Sequence, residues 1–205
     1  PQIGNVVIED NVDIGANIGQ HALYAAALVG SFGKVVAYEP IKSLFAQLSN
    51  SKFQNNFTNM ELVNKAIGQT PGEAQIHINV KNMGASSLCR NDVVGQTETI
   101  LIGTAEELSR LDKIDLIKID TEGYEWIVIQ AILPYIIKYK PVIFFEYTPD
   151  AYTGTSNVDM LNTLIDQGYS LLDFEDGYRQ IRDVSLWAKE FTKIQTNILC
   201  KPQKK

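Results

Sequence analysis

Short apolar runs alternate along the chain with segments in which apolar residues recur every three to four positions. The short runs are typical of buried strands, and the longer spacing is typical of helices that pack on one side. Strands and helices that alternate in this way form a mostly parallel sheet covered by helices, so the pattern predicts an α/β domain. The predicted strands are Val6–Ile14, Lys34–Tyr38, Glu61–Ala66, Ile114–Ile119, Pro141–Glu146, Ser170–Phe174 and Thr196–Lys201.

The intervening helices have recognisable ends. Gly30 and Gly33 end the first helix, and Pro40 begins the second because proline fits the first turn of a helix. Residues 175–193 fit neither pattern and stay ambiguous. The predicted helices run from about Gln20 to Val29, from Pro40 past Leu48, from about Glu125 to Tyr139 and from about Val158 to Asp166.

Residues 68–103 depart from this alternation. Gln75–Val80 alternates with period two and Glu98–Ile102 is strand-like, whereas Asn82–Gly95 between them is rich in glycine, serine and asparagine. Segments of that composition usually form loops. We therefore expect a small insertion of short strands and a loop at one edge of the sheet.

Size and composition match one globular domain spanning residues 1–205, with 45% hydrophobic and 20% charged residues. The chain opens with Pro1 rather than Met, which we interpret as a piece of a longer polypeptide or as trimmed residues. Cys89 and Cys200 lie far apart without metal-type spacing, so we expect two free thiols in a reducing, cytoplasmic setting. We find no signal peptide, and no apolar run reaches the ~18 residues of a membrane span.

The charge balance argues against nucleic acid as a partner. The net charge is -6 and the pI is about 5.0, whereas nucleic-acid-binding proteins usually carry a basic face. The one basic run is the tail Lys201–Lys205, which we interpret as a frayed end. We therefore expect a soluble protein with no nucleic-acid partner.

A glycine-containing turn follows the first predicted strand. The segment Asp13–Gly19 would let the backbone turn tightly and approach an anionic ligand group at the start of a helix. Glu39 ends the next strand, 20 residues after Gly19, where an acid in nucleotide-binding α/β folds accepts hydrogen bonds from ribose hydroxyls. Asn17 stands where a dinucleotide motif has its middle glycine. The turn therefore favours S-adenosylmethionine, which has no pyrophosphate.

Several segments resemble the FkbM family of methyltransferases, over about residues 6–148. The most specific is Ile117–Glu125, which contains the element Asp-x-Glu-Gly-x-Glu. The resemblance implies a Rossmann-like class I methyltransferase with a mostly parallel seven-stranded sheet, helices on both faces and S-adenosylmethionine as cofactor. The other resembling segments are Val12–Gly19, Val36–Pro40, Asn64–Gly68 and Pro141–Glu146.

The resemblance also implies an activity and a set of cofactor-binding residues. The family commonly O-methylates sugars or hydroxyls of secondary metabolites, so the implied partner is a carbohydrate or glycan acceptor, for example one carrying a deoxyhexose. A fused glycosyltransferase domain would suit such an enzyme. The resemblance assigns cofactor binding to Asp13, Gly15, Ala16, Asn17, Gly19, Glu39, Pro40 and Asp120, with Asn64 and Ala66 near the adenine.

Carboxylates gather where two of the predicted strands end. Asp120 and Glu122 follow one strand and Glu146 ends the next, and the strand ends of an open α/β sheet face the ligand crevice. Methyl transfer to a hydroxyl requires a group that removes its proton, which a carboxylate with a raised pKa can do. We therefore predict that Asp120, Glu122, Glu146 and His21 are catalytic candidates, although Glu122 could cap the next helix and His21 could line the pocket wall. We expect no obligatory metal, while adjacent acids leave a divalent ion open.

The predicted acceptor side combines neutral polar and aromatic groups. An acid-rich site suits the deprotonation of a hydroxyl better than the binding of an exocyclic nucleobase amine. The leading hypothesis is therefore a sugar O-methyltransferase; the alternatives are a methyltransferase for a small metabolite or lipid-like acceptor, and a non-catalytic module with the same fold. The predicted substrate residues are Ser86, Arg90, Glu125, Tyr147 and Tyr152, of which Glu125 could instead cap its helix.

Overall fold

The computed structural model describes residues 2–3, 6–78, 88, 96–149 and 157–203. Within these ranges, two short 3-10 helices, Gly30–Phe32 and Glu106–Arg110, accompany the main elements. The strands are β1 Gln2–Ile3, β2 Val6–Val7, β3 Asn11–Ile14, β4 Val35–Tyr38, β5 Met60–Val63, β6 Ala66–Ile67, β7 Gly72–Ile78, β8 Gln96–Gly103, β9 Leu116–Ile119, β10 Val142–Tyr147, β11 Tyr169–Asp173, β12 Arg179–Ile181 and β13 Thr196–Pro202. The helices are α1 Gln20–Val29, α2 Lys42–Gln54, α3 Glu125–Tyr139, α4 Asn157–Asp166 and α5 Val184–Glu190.

The main sheet has the strand order β12-β11-β13-β10-β9-β3-β4-β5. The strands from β10 to β5 pair in parallel, whereas β13, β11 and β12 join by antiparallel pairing. The carboxyl ends of β3, β4, β9 and β10 therefore meet at one edge, which is where ligands bind in open α/β sheets. The predicted α/β sheet is confirmed.

Helices cover both faces of this sheet. Alternate residues of a strand point to opposite faces, and on β4 Val36 and Tyr38 belong to one core while Val35 and Ala37 belong to another. The first core is closed by α3, α4 and α5, and the second by α1 together with Leu48 of α2. Continuous apolar strands such as β4 are expected where both faces are buried.

Three details of the predicted strands were wrong. The strand predicted at Val6–Ile14 is split, because the Asp115 side chain accepts hydrogen bonds from the Glu9 and Asp10 N–H groups, both at 2.9 Å. The strand predicted at Glu61–Ala66 ends at Val63, and Ala66 begins β6 in another sheet. The main sheet has eight described strands instead of seven, since β12 arises within the ambiguous segment 175–193.

The predicted insertion forms a sheet of its own. Strands β6, β8 and β7 form a three-stranded sheet, in which β8 is parallel to β6 and antiparallel to β7. The loop predicted at 82–95 falls almost wholly outside the described residues. Cys200 is a buried free thiol, and Cys89 lies outside the described residues. No described helix combines the length and the apolar character that crossing a membrane would require.

Candidate active site

The turn after β3 brings the backbone into close contact with the end of β9. Gly15 has φ +80°, and a Cβ atom there would lie 1.8 Å from the Asp120 carbonyl oxygen. The Gly15 and Ala16 N–H groups donate to the Tyr38 carbonyl oxygen at 3.0 and 2.9 Å. Only glycine meets both the positive φ and the contact, so residue 15 is fixed by packing.

The turn then leads into α1 through two further left-handed residues. Asn17 has φ 54° and Gly19 has φ 92°, and asparagine is among the side chains that tolerate this region best. A Cβ at Gly19 would meet Leu48 Cδ1 at 2.2 Å, so this glycine lets α1 pack against α2. The predicted tight strand-to-helix turn is therefore present, and its glycines are required by the geometry.

Glu39 directly follows β4 and is buried, with 4% of its surface exposed. Its two carboxylate oxygens accept hydrogen bonds from the Asn17 N–H and the Ile41 N–H, each at 2.8 Å. A carboxylate has about four acceptor positions, so about two remain for a ligand. Burial raises the pKa of Glu39 to about 7, although the two backbone N–H donors lower it, and the charge of Asp13 adds to the rise.

Glu39 lies in a pocket with apolar walls, which we call the Glu39 pocket. Asn64 holds the backbone after β4 by donating from its side-chain amide to the carbonyl oxygens of Glu39 and Pro40 at 2.8 and 3.0 Å. Pro40 and Ala66 line the pocket directly. Its other described walls are mainly apolar, including Ile41, Leu44, Ile67, Ile76 and Val128.

Three carboxylates form an acid cluster, Asp120, Glu122 and Glu146, at the adjoining ends of β9 and β10. One oxygen of each lies within 4.8 Å of the others, a spacing that a divalent cation could also use. Asp120 and Glu122 line the Glu39 pocket as well, so the cluster and the pocket adjoin. Glu122 has φ 54°, a conformation that costs free energy for a residue with a side chain and occurs preferentially at functional sites.

Glu146 is the member of the cluster that lies at the end of β10. Burial raises its pKa to about 7, and the neighbouring charges of Asp120, Glu122 and Glu125 add to the rise. Gln195, on the approach to β13, donates to Glu146 Oε1 at 2.8 Å and fixes the carboxylate. A carboxylate with a pKa near neutrality can accept a proton at physiological pH.

Glu125 supports the loop that carries Glu122. Its carboxylate accepts from the Thr121 N–H at 2.9 Å, from the Thr121 hydroxyl at 3.0 Å and from the Gly123 N–H at 3.1 Å. The residue is only 4% exposed, and burial raises its pKa despite these donors. These hydrogen bonds agree with the alternative that Glu125 caps its own helix. The predicted contact of Glu125 with a substrate stays a prediction.

Lys118 and His21 lie beside a second opening, at the start of α1, which we call the α1 cleft. Gly15, Asn17, Lys118 and Asp120 line this cleft together with the exposed His21. Burial lowers the pKa of the Lys118 ammonium, but the nearby Asp13 and Asp120 carboxylates outweigh this effect, so the net pKa is raised. His21 therefore lies on the cleft side of the site and is not a member of the acid cluster.

The remaining predicted substrate residues divide into two groups. Tyr147 is 2% exposed, and its ring packs edge-on against Trp187 and Phe191 at 5.0 and 5.6 Å between ring centroids. Such packing makes the ring part of the core, and its predicted substrate contact stays a prediction. Ser86, Arg90 and Tyr152 lie outside the described residues.

The sequence analysis assigned no role to two residues that the site brings close. Lys118 is the one charged residue of β9, and a charge in an otherwise apolar strand could have indicated a functional role. Gln195 carried no signal, because its approach to Glu146 depends on the antiparallel pairing of β13 with β10.

The fold is the Rossmann-like α/β fold of known methyltransferases. Residues 13–171 match the methyltransferase FkbM domain. The chain therefore belongs to the FkbM methyltransferase family, which confirms the resemblance seen in the sequence. No curated protein sequence matches the chain.

Solved structures support the same fold. The methyltransferase FkbM from Methylobacillus flagellatus KT has a TM-score of 0.59 and 16% identity, and the match covers 94% of this chain but 43% of that one. The chain thus spans less than half the length of that protein. An rRNA methylase from Streptococcus thermophilus has a TM-score of 0.54 at 9% identity, and the match covers 96% of this chain and 88% of that one. SMU.1697c from Streptococcus mutans, solved in complex with SAH, has a TM-score of 0.56 at 8% identity, and the match covers 97% of this chain and 92% of that one.

Proposed function

We propose that the Glu39 pocket holds the adenosine part of S-adenosylmethionine. The hydrogen-bonding capacity of Glu39 supports this placement, because its carboxylate keeps about two acceptor positions for the two ribose hydroxyls. The apolar walls around Ile41 and Ile67 suit an adenine ring. The glycine turn supports it too, since the missing Cβ at Gly15 lets the turn pack against the Asp120 backbone, so that both residues line this pocket.

The chemistry we propose is O-methylation with Glu146 as general base. When bound, S-adenosylmethionine supplies an electrophilic methyl group on a positively charged sulfur. The observation that carries the proposal is the acid cluster beside the Glu39 pocket, because it offers a proton acceptor where an acceptor hydroxyl would lie. Glu146 accepts the hydroxyl proton and Gln195 holds its carboxylate. Burial, together with the charges of Asp120 and Glu122, keeps the pKa of Glu146 near 7.

We propose a sugar hydroxyl of a glycan or smaller carbohydrate as the acceptor. Three carboxylates at the mouth of the site repel phosphates, which disfavours a nucleic-acid acceptor at this edge. A neutral polyhydroxylated ring carries no such penalty, and its hydroxyls can donate to the carboxylates. The net charge of -6 also disfavours a nucleic-acid acceptor.

A lipid-like molecule is the second candidate acceptor. An apolar groove runs along the sheet face beside α1 and reaches Lys118 at the edge of the α1 cleft. Its walls include Tyr24, Phe144, Phe174 and Tyr178, of which Tyr24 is 66% exposed. Exposed aromatic surface of this kind marks a binding groove more often than free surface.

The cofactor placement can be tested by calorimetry with S-adenosylhomocysteine. We expect the parent chain to bind it, and we expect Glu39→Ala to bind at least tenfold more weakly because both ribose acceptors are lost. Glu73→Ala, on the exposed face of β7, is the matched control and should bind like the parent. Equal affinity of the parent and Glu39→Ala would overturn the placement.

The base and the acceptor can be tested together with a methyl-labelled cofactor. The acceptor panel contains unmethylated glycans, small aglycones, lipid-like alcohols and RNA oligonucleotides. We expect label on a glycan hydroxyl, and we expect Glu146→Gln to lower kcat by about 10²- to 10⁴-fold while the affinity for S-adenosylhomocysteine stays unchanged. Label found only on lipid-like alcohols would select the second candidate, and label found only on RNA would refute both.

The role of a metal can be separated from that of the base. We propose that no ion is obligatory, so turnover should survive dialysis against a chelator. Loss of turnover that Mg²⁺ or Mn²⁺ restores would assign the acid cluster to a cation instead.

A further inference from the structure

Lys118 bridges two carboxylates at the heart of the site. On the paired strands β3 and β9 it is the register partner of Asp13, so the two side chains lie on the same face of the sheet. Its Nζ lies 3.2 Å from Asp13 Oδ1 and 3.4 Å from Asp120 Oδ2. The lysine side chain is 13% exposed, Asp13 is 3% exposed and Asp120 is 41% exposed.

A purely structural ion pair explains this arrangement poorly. Removing charges from water costs several kcal/mol per ion, and well-packed apolar residues usually stabilise a sheet interior as well or better. Asp13 Oδ2 is moreover buried without a hydrogen-bond partner among the described residues, a cost that a structural pair would normally avoid. The charges therefore point to a ligand.

The charges around Lys118 complement the amino-acid end of S-adenosylmethionine. Lys118 and Asp120 both line the α1 cleft, whose wall includes Gly15, Asn17 and the amino-terminal turn of α1. The start of a helix favours an anionic group, and an ammonium has three donors, of which the two carboxylates use two. The opposite charges of Lys118 and Asp120 complement a zwitterion, while the Glu39 pocket beside them has mainly apolar walls.

We propose that Lys118 binds the carboxylate of the cofactor's amino-acid end, with Asp120 beside it to receive the ammonium. This inference rests on the adenosine placement proposed above. It adds a binding residue to that site and gives the α1 cleft its occupant. It also predicts that the contribution of Lys118 depends on whether the ligand carries an amino-acid group.

Two ligands isolate that contribution in a calorimetric experiment. S-adenosylhomocysteine carries the amino-acid end, whereas 5′-methylthioadenosine lacks it. We expect Lys118→Met to weaken S-adenosylhomocysteine by about 10- to 100-fold and to leave methylthioadenosine within about twofold, since one charge-assisted contact is lost. Lys118→Arg should restore most of the loss. Lys113→Met is the matched control, because Lys113 also contacts two acids, Glu9 and Asp115, and should leave both affinities unchanged.

The remaining outcomes are informative in different ways. An equal loss for both ligands would assign Lys118 a structural role, and no loss for either would make it a bystander; both results overturn the inference. If Lys118→Met does not fold, Lys118→Gln must still lower the affinity ratio of the two ligands, or the inference fails. A parent chain that binds neither ligand would overturn the proposed adenosine placement, and this inference with it.

Discussion

Burying the Glu39 carboxylate should make the stability of the folded chain depend on pH. The pKa of this group is about 7 in the folded chain, against an ordinary value of 4.5. Between these values the folded chain holds a proton that the unfolded chain has released. Because the folded state then binds more protons, the free energy of unfolding falls as pH rises through this window.

The size of the effect follows from the rise in pKa. A rise from 4.5 to about 7 corresponds to about 3 kcal/mol at about 1.4 kcal/mol per pH unit. Glu39→Gln cannot ionise, so it lacks this term. It also loses one acceptor for the Asn17 or Ile41 N–H, a cost of about 1–3 kcal/mol that does not change with pH. The stability of the variant relative to the parent should therefore increase by about 2–3 kcal/mol between pH 5 and pH 8.

Urea unfolding without cofactor, at several pH values from 5 to 8, measures this difference. Glu146 is present in both proteins, so its own titration cancels when the two are compared. Glu73→Gln is the control, because an exposed carboxylate should give a difference that is independent of pH. A difference between Glu39→Gln and the parent that stays constant from pH 5 to pH 8 would refute the reasoning.

Three further predictions concern the glycine turn, the loop after β9 and the base. Gly15→Ala should destabilise the chain by about 2 kcal/mol more than Gly168→Ala in thermal melts, because both glycines have φ +80° but only Gly15 also meets a backbone atom; equal losses would contradict this. In urea titrations, Glu125→Ala should lower the free energy of unfolding by about 3 kcal/mol, because it leaves buried N–H groups without an acceptor. Glu125→Gln should lower the free energy of unfolding much less, because its amide oxygen can still accept. The value of kcat/KM should rise with pH and level off above about 7 as Glu146 ionises, and a pH-independent rate would remove Glu146 from the role of base.

The alternation of strands and helices could be predicted because it depends on local sequence patterns. The same patterns could not show where a strand is interrupted by a distant side chain. The break before β3 depends on Asp115, which lies more than 100 residues away in sequence and captures two N–H groups. Strand β6 joined a different sheet because its pairing with β8 crosses the insertion.

The part of the site that lies at strand ends was also accessible from sequence. Gly15, Glu39 and Asp120 each follow or end a predicted strand, and the parallel sheet gathers those ends at one edge. The partners of these residues were not accessible. Lys118 meets Asp13 through the register of two strands, and Gln195 meets Glu146 through antiparallel pairing at the far end of the chain. Register and pairing are tertiary properties that a pattern of residue types does not encode.

A crystal structure with S-adenosylhomocysteine bound would test the central claim most directly. We predict that both ribose hydroxyls donate to the Glu39 carboxylate and that the sulfur lies beside the cluster of Asp120, Glu122 and Glu146. A ribose held elsewhere, or a sulfur on the far side of the glycine turn from these acids, would contradict it.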